Sequence, residues 1–309
     1  MSEHTVPRRA FLEAAAATVA GAALGVAGTS RVAKADGSRP QGSGPRGAHA
    51  PVAETVKLGV ASYSLRKFPL DKSLEMIRSL RTPYVNFKSV HLPYEKSAAE
   101  LAVLRKDVEA AGFRIVGGGT ITFSVDTDDD VRRYFEYAKA AGMPTIVGTG
   151  HPDVMPRVER FAKQYDIKVA IHNHGPEDKH FPSPYDVLKT VRNMDPRMGL
   201  CIDIGHTART GTDIVKAIAD AGPRLLDMHI KDLRDPKARE SQCIVGEGAL
   251  PIADIFGALQ ATHFAGFACL EYEIDDNDPL PGMKQSFAHM RGVLSGIASN
   301  QGRSAHAGS

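Results

Sequence analysis

The stretch KVAIHNHG, residues 168–175, decides how the chain is read. Val169, Ala170 and Ile171 form an apolar run too short for a helix, and it ends abruptly in His172, Asn173 and His174. A short β-branched run of this kind reads as a buried strand. Side chains alternate along a strand, so His172 and His174 share a face. Three later stretches repeat the design: CIDIGH at 201–206, LLDMHIKD at 225–232 and CLEYE at 269–273. Each is an apolar run that closes on imidazole or carboxylate groups.

Outward from these stretches the same alternation fills the chain. Strands are predicted at 56–63, 84–88, 113–118, 144–148, 168–173, 199–204, 225–230 and 267–273. Amphipathic helices are predicted between and after them at 71–81, 97–111, 128–141, 152–165, 185–192, 212–221, 252–260 and 283–295. Gly112, Gly142 and Gly222 stand where helices should stop and turn back to a strand. Strand followed by helix, repeated eight times, predicts an α/β chain of one domain, a closed (β/α)8 TIM barrel over 55–298 with a flexible tail at 299–309. Gly117-Gly118-Gly119 follows a strand but lacks the spacing of a dinucleotide-binding loop.

The first 54 residues are set apart. Arg8 and Arg9 precede Phe11 and Leu12, an uncharged run at 14–27 follows, and Ala33-Lys34-Ala35 has the form of a cleavage site. The order resembles a twin-arginine export signal over 1–35, which implies a periplasmic or secreted protein without stable membrane insertion after cleavage. Residues 36–54 are rich in Gly, Pro, Ser and Arg without periodicity and read as a disordered linker. A net charge of +2, aromatics at 6% and no tryptophan argue against a nucleic-acid or long-polysaccharide surface. Cys201, Cys243 and Cys269 are an odd number at wide spacing and not a disulfide framework, and Cys201 and Cys269, in apolar strand-like runs, are expected as buried core thiols.

In a barrel of this type the chemistry sits where strands end. Strand five offers His172 and His174, strand six Asp203 and His206, strand seven His229, and strand eight Glu271 followed by Glu273. Two carboxylates and several neutral imidazoles at one rim suit a first-row divalent cation better than Ca²⁺. Mn²⁺ is the first choice, with Co²⁺, Fe²⁺, Zn²⁺ and Mg²⁺ as alternatives, and either His172 or His174 is the strand-five ligand. From strand two, Lys88 is expected to steady an enolate or orient an oxygen, and His91 to transfer a proton or bind substrate. Lys231 and Asp232 are expected to pair with each other and brace the rim.

Through these segments the chain resembles the xylose-isomerase-like TIM-barrel superfamily of sugar isomerases and epimerases over 57–295. The resemblance implies a metal held by one residue from each of strands five to eight, usually Glu, Asp, His and Glu. Asp203, His229 and Glu271 match, His172 stands where the first Glu usually is, and His206 matches a histidine that often touches substrate. One glutamate of the usual acid–base pair is therefore missing. That points to a histidine branch with inosose dehydratase-like and keto-sugar-converting members. Its chemistry begins with loss of a proton next to a metal-polarised carbonyl, with Lys88, His91, His174, His206 and Glu271 as the catalytic candidates. The expected partner is a small sugar, keto-sugar or inositol, and homo-oligomerisation is left open. The alternatives are a lyase or hydratase using the same site, a non-catalytic sugar-binding protein, and an abasic-site endonuclease. The last lacks the further Asp-x-His pair that its metal cluster requires.

Overall fold

In the computed structural model the described residues are 56–307, with side chains to 300. The export signal and linker expected over 1–54 lie outside them. The chain alternates β1 (Lys57–Ala61), α1 (Leu70–Ser79), β2 (Tyr84–Phe87), α2 (Ala98–Ala110), β3 (Arg114–Phe123), α3 (Asp128–Ala140), β4 (Thr145–Gly150) and α4 (Met155–Tyr165). It continues with β5 (Lys168–His172), α5 (Pro184–Val191), β6 (Met198–Asp203), a short α6 (Ile204–Arg209), α7 (Ile214–Ala221) and β7 (Leu225–Ile230). A two-residue ribbon, β8 (Asp232–Leu233) and β9 (Gln242–Cys243), precedes α8 (Ile252–Ala261), β10 (Phe267–Leu270) and α9 (Leu280–Ala307).

Eight strands close in the order β1-β10-β7-β6-β5-β4-β3-β2, every pairing parallel. The expected (β/α)8 barrel is therefore the fold. Its interior is filled rather than open. Val147, Ala170 and Cys201 pack together on one side, and Ala61, Val116 and Cys269 on the other. All three cysteines are free and buried, Cys201 and Cys269 as expected. Between strands, Asn86 Nδ2 donates to Asp227 Oδ2 at 2.8 Å in the middle of the barrel. Burial pushes the Asp227 carboxyl up to about 6.

Local signals explain where the helices begin. Ser97 and Glu100 form a reciprocal capping box on α2, and Thr127 and Asp213 cap α3 and α7. Helix α9 runs past the expected barrel end at 298. It buries Met283, Phe287, Met290 and Leu294 along one face, and Arg291 Nη2 donates to Leu80 O at 2.6 Å, tying α9 to the end of α1. Among the described residues no helix is long and apolar enough to cross a membrane.

Candidate active site

The ends of β5, β6, β7 and β10 converge. The donor atoms of His172, Asp203, His229 and Glu271 all lie within 4.8 Å of one another, and all four side chains are buried. His172 Nε2 and His229 Nδ1 face each other at 2.9 Å, Asp203 Oδ2 is 3.6 Å from His172 Nε2, and Glu271 Oε2 is 3.1 Å from His229 Nδ1. Asp203 Oδ1 is occupied as the cap of α6, accepting from His206 N at 2.8 Å. Its Oδ2 is buried and makes no hydrogen bond, its one close cation among the described residues being Lys231 Nζ at 3.0 Å, and His229 Nε2 is buried with no hydrogen bond.

These residues fit a divalent cation. Ligand bonds of about 2.0–2.2 Å place donors at most about 4.4 Å apart, so the observed group needs little closure. Burial, then the neighbouring His174, hold His172 well below the usual imidazole range, leaving it the neutral form that ligates. Burial opposes ionisation of Asp203, but Lys231 above all outweighs it and keeps the carboxyl well below its usual range. The same contest at Glu271 is decided by His229, Lys88 and Lys231. Cys201 forms a second candidate group with His172 and His229. Burial and Asp227 push its thiol well above the usual range, so it is the poorer donor.

Of His172 and His174, only His172 falls in the donor group. His172 is the last residue of β5 and sits in the donor group. His174 stands outside it on the cavity wall, with Nδ1 3.3 Å from His172 Nδ1 and 3.5 Å from Asp178 Oδ2. Burial and His206 lower its basicity, so it is neutral at pH 7. The cavity above has two lobes. One, of about 310 Å³, is lined by Lys88, Thr120, His172, His174 and Glu271. The other, of about 320 Å³, is lined by Arg66, Arg209, Lys231 and Arg239. Tyr63, His206 and Glu273 line both. Lys88 reaches the rim as expected, with Nζ 3.1 Å from Glu271 Oε1 and 3.3 Å from Thr120 Oγ1.

Two expectations need correction. His91 lines neither lobe. It is buried under the loop after β1, with Nδ1 2.9 Å from Ser62 Oγ and Nε2 3.0 Å from Ser73 Oγ and 3.1 Å from Phe68 O. Both ring nitrogens are used in bracing the frame. Lys231 and Asp232 do not pair with each other. Lys231 Nζ approaches Asp203, Glu271 and Glu273, whereas Asp232 accepts the backbone N–H groups of Gly246, Gly248 and Leu250 and clamps the loop beyond the ribbon. Gly248 has no side chain for that reason: a Cβ there would lie 2.1 Å from Asp232 Oδ1. Sequence reading missed Tyr63, Thr120, Arg66 and Arg209. Only Tyr63, at the close of the first apolar run, carried a visible signal.

Residues 73–293 match the family model of the xylose isomerase-like TIM barrel. The chain belongs to that family. It is 26% identical over 144 residues to an inosose dehydratase of Lactiplantibacillus plantarum, an alignment covering 41% of this chain and 47% of that protein. It is 26% identical over 138 residues to the rhizopine catabolism protein MocC of Rhizobium meliloti, covering 40% of this chain and 42% of that one. The chain thus spans about half the length of the curated relatives it matches. Among solved structures, the IolI protein with a bound zinc atom superposes with a TM-score of 0.67 at 17% identity, over 78% of this chain and 98% of that one. An L-ribulose 3-epimerase superposes with a TM-score of 0.65 at 15% identity, over 80% and 97%. At these identities the two structures speak for the fold alone.

Proposed function

We propose that the protein is an exported, divalent-metal-dependent enzyme that removes a proton next to a carbonyl of a sugar, keto-sugar or inositol. The observation that carries this reading is the group of four buried donors from adjacent strands, opening on a cavity wide enough for a sugar ring. His172, Asp203, His229 and Glu271 would hold the ion, which when bound supplies a Lewis acid that polarises a carbonyl or hydroxyl oxygen. Lys88 places an ammonium beside Glu271 at the wall, positioned to steady negative charge on a substrate oxygen. Glu271 is held as a carboxylate and His174 as a neutral imidazole, so both can accept a proton, and His206 stands between the lobes where substrate passes.

Completion as isomerisation returns the proton to a neighbouring carbon; completion as elimination passes it to a leaving hydroxyl. Two features support elimination: His172 replaces one glutamate of the usual epimerase pair, and the matched curated relatives include inosose dehydratases. The twin-arginine-like start supports export of the already folded, metal-loaded barrel. Mn²⁺ remains the first choice of ion, and the zinc held by the IolI protein keeps Zn²⁺ close behind.

The test is incubation of the metal-loaded protein with keto-sugars and inososes in heavy water, read by mass spectrometry. Deuterium incorporation signals isomerisation, and loss of one water signals elimination. Glu271→Gln should abolish both. Tight sugar binding with neither change at full metal load would reject catalysis in favour of a binding protein.

A further inference from the structure

Lys231 stands among the oxygen atoms that the donor group needs. Its Nζ lies 3.0 Å from Asp203 Oδ2, 3.1 Å from Glu271 Oε2 and 2.6 Å from Glu273 Oε2. The first two oxygens belong to the candidate metal ligands; the third does not. The lysine leaves the end of β7 two residues after His229, so its stem runs directly past the donors. Gly205 makes the passage possible: a Cβ there would lie 2.7 Å from both Cγ and Cδ of Lys231. Asp203 and Glu271 are buried, whereas the Glu273 side chain is 37% exposed and faces both cavity lobes.

Carboxylates buried together without a cation are strongly unfavourable. At these distances the Lys231 ammonium brings positive charge to both buried carboxylates. A dication at the donor group would meet that ammonium at close range, where like charges repel with little screening. We propose that Lys231 is a resident counter-cation that a divalent ion must displace from Asp203 and Glu271 towards Glu273, so that the lysine sets the metal affinity and holds the barrel folded before loading. The proposal rests on the metal reading given above. Lys88 does not share the role, because it approaches the other oxygen of Glu271 and makes no ion pair with Asp203 among the described residues.

The role predicts effects of opposite sign, which a merely structural lysine would not give. Wild type, Lys231→Met and Gly205→Ala are titrated as full chains with Zn²⁺ and Mn²⁺ against a chromophoric chelator, and the metal-free samples are melted. Lys231→Met should bind metal at least about tenfold more tightly, since a competing unit charge at contact distance is removed, yet melt at a lower temperature when metal-free. Gly205→Ala keeps every charge and crowds the lysine stem, so it too should bind metal more tightly, and it decides the matter if Lys231→Met does not fold metal-free. One equivalent of metal in the wild type with equal or weaker binding in the variants overturns the counter-cation role and leaves the metal site standing. No metal in any of the three overturns both.

Discussion

Asp203 carries two duties on two oxygens, and a pair of substitutions separates them. Oδ1 caps α6 through His206 N at 2.8 Å, and Oδ2 faces His172 and the Lys231 ammonium. Asp203→Asn keeps a carbonyl oxygen for the cap and removes the charge. Lys231 then retains two of its three acid partners. Full loss of a buried partner costs about 3–5 kcal/mol, so a third of that support is worth about 1–2 kcal/mol. For a barrel of this size each kcal/mol is about 2–4 °C in Tm. The metal-free Asp203→Asn protein should therefore melt about 2–8 °C lower than wild type. Asp203→Ala loses the cap as well, about 1 kcal/mol more, and should melt a further 2–4 °C or so lower. Backbone ties at this residue, from Asp203 N to Asn173 Oδ1 and from Thr207 Oγ1 to Asp203 O, survive in both. Both variants should lose metal affinity alike, by at least about 100-fold, because outer partners of metal ligands alone account for about 10–100-fold. Thermal melts followed by circular dichroism, with metal content by mass spectrometry, read both effects. Stoichiometric metal in Asp203→Asn at wild-type affinity would refute the ligand assignment. Equal melting of the two variants would refute the capping argument.

Removal of metal from the loaded wild type by a chelator should lower Tm, since a ligand at a hundred times its Kd contributes about 2.7 kcal/mol; an unchanged melt would speak against a native-state site. Burial lowers the basicity of His91, so below its unfolded value near 6.5 the unfolded chain takes up a proton that the folded one refuses. Stability should be flat above that pH and fall below it, by up to about 1.4 kcal/mol per unit for this group. His91→Gln should start lower at pH 8 and decline less steeply to pH 5 in urea melts; His172 and His174 leave a residual slope of the same sign. Gly248→Ala drives a Cβ against Asp232 Oδ1 and, at 2.6 Å, against Leu233 O. It should destabilise the loop clamp by about 1–3 kcal/mol, seen as faster proteolysis at 233–250; wild-type resistance would show that the clamp yields without strain.

What the sequence made legible follows from period. Strand alternation is local, so the spacing of apolar runs alone places His172, Asp203, His229 and Glu271 on one rim, and eight repeats give the barrel order. Features set by contacts between distant segments were not legible. β3 runs on to Phe123, past the expected end at Gly118, and its register with β4 shifts between Gly118 and Ile121. β10 stops at Leu270, with Glu271 N still donating to Ile230 O at 2.9 Å and Glu273 lying beyond the ladder. The short α6 escaped notice because its cap, Asp203, had already been read as a ligand. His91 looked like a rim residue, but the chain folds back after β2, with His91 N donating to Lys88 O at 3.0 Å, and two serines, one just after β1 and one in α1, take its ring.

Lys231 shows the limit most clearly. Next to Asp232 in sequence, it invited pairing with its neighbour. Adjacent residues at a strand end point to opposite sides, however, so the acid turns outward to clamp a loop and the lysine turns inward. Where its ammonium comes to rest is fixed by Gly205 on another segment and by acids from β6 and the chain after β10. A positive charge is thus built into the centre that sequence reading had reserved for a metal. If Lys231 serves as the counter-cation, the barrel can bury its carboxylates before an ion arrives, and a protein exported after folding, as proposed, can complete its core first and load metal second. If that order holds, metal-free wild type should refold from urea to a native-like spectrum without added ion, and metal-free Lys231→Met should do so only at lower urea than wild type, the gap closing when Zn²⁺ or Mn²⁺ is present. Equal refolding midpoints of the two without metal would show that Lys231 is dispensable for the order of assembly.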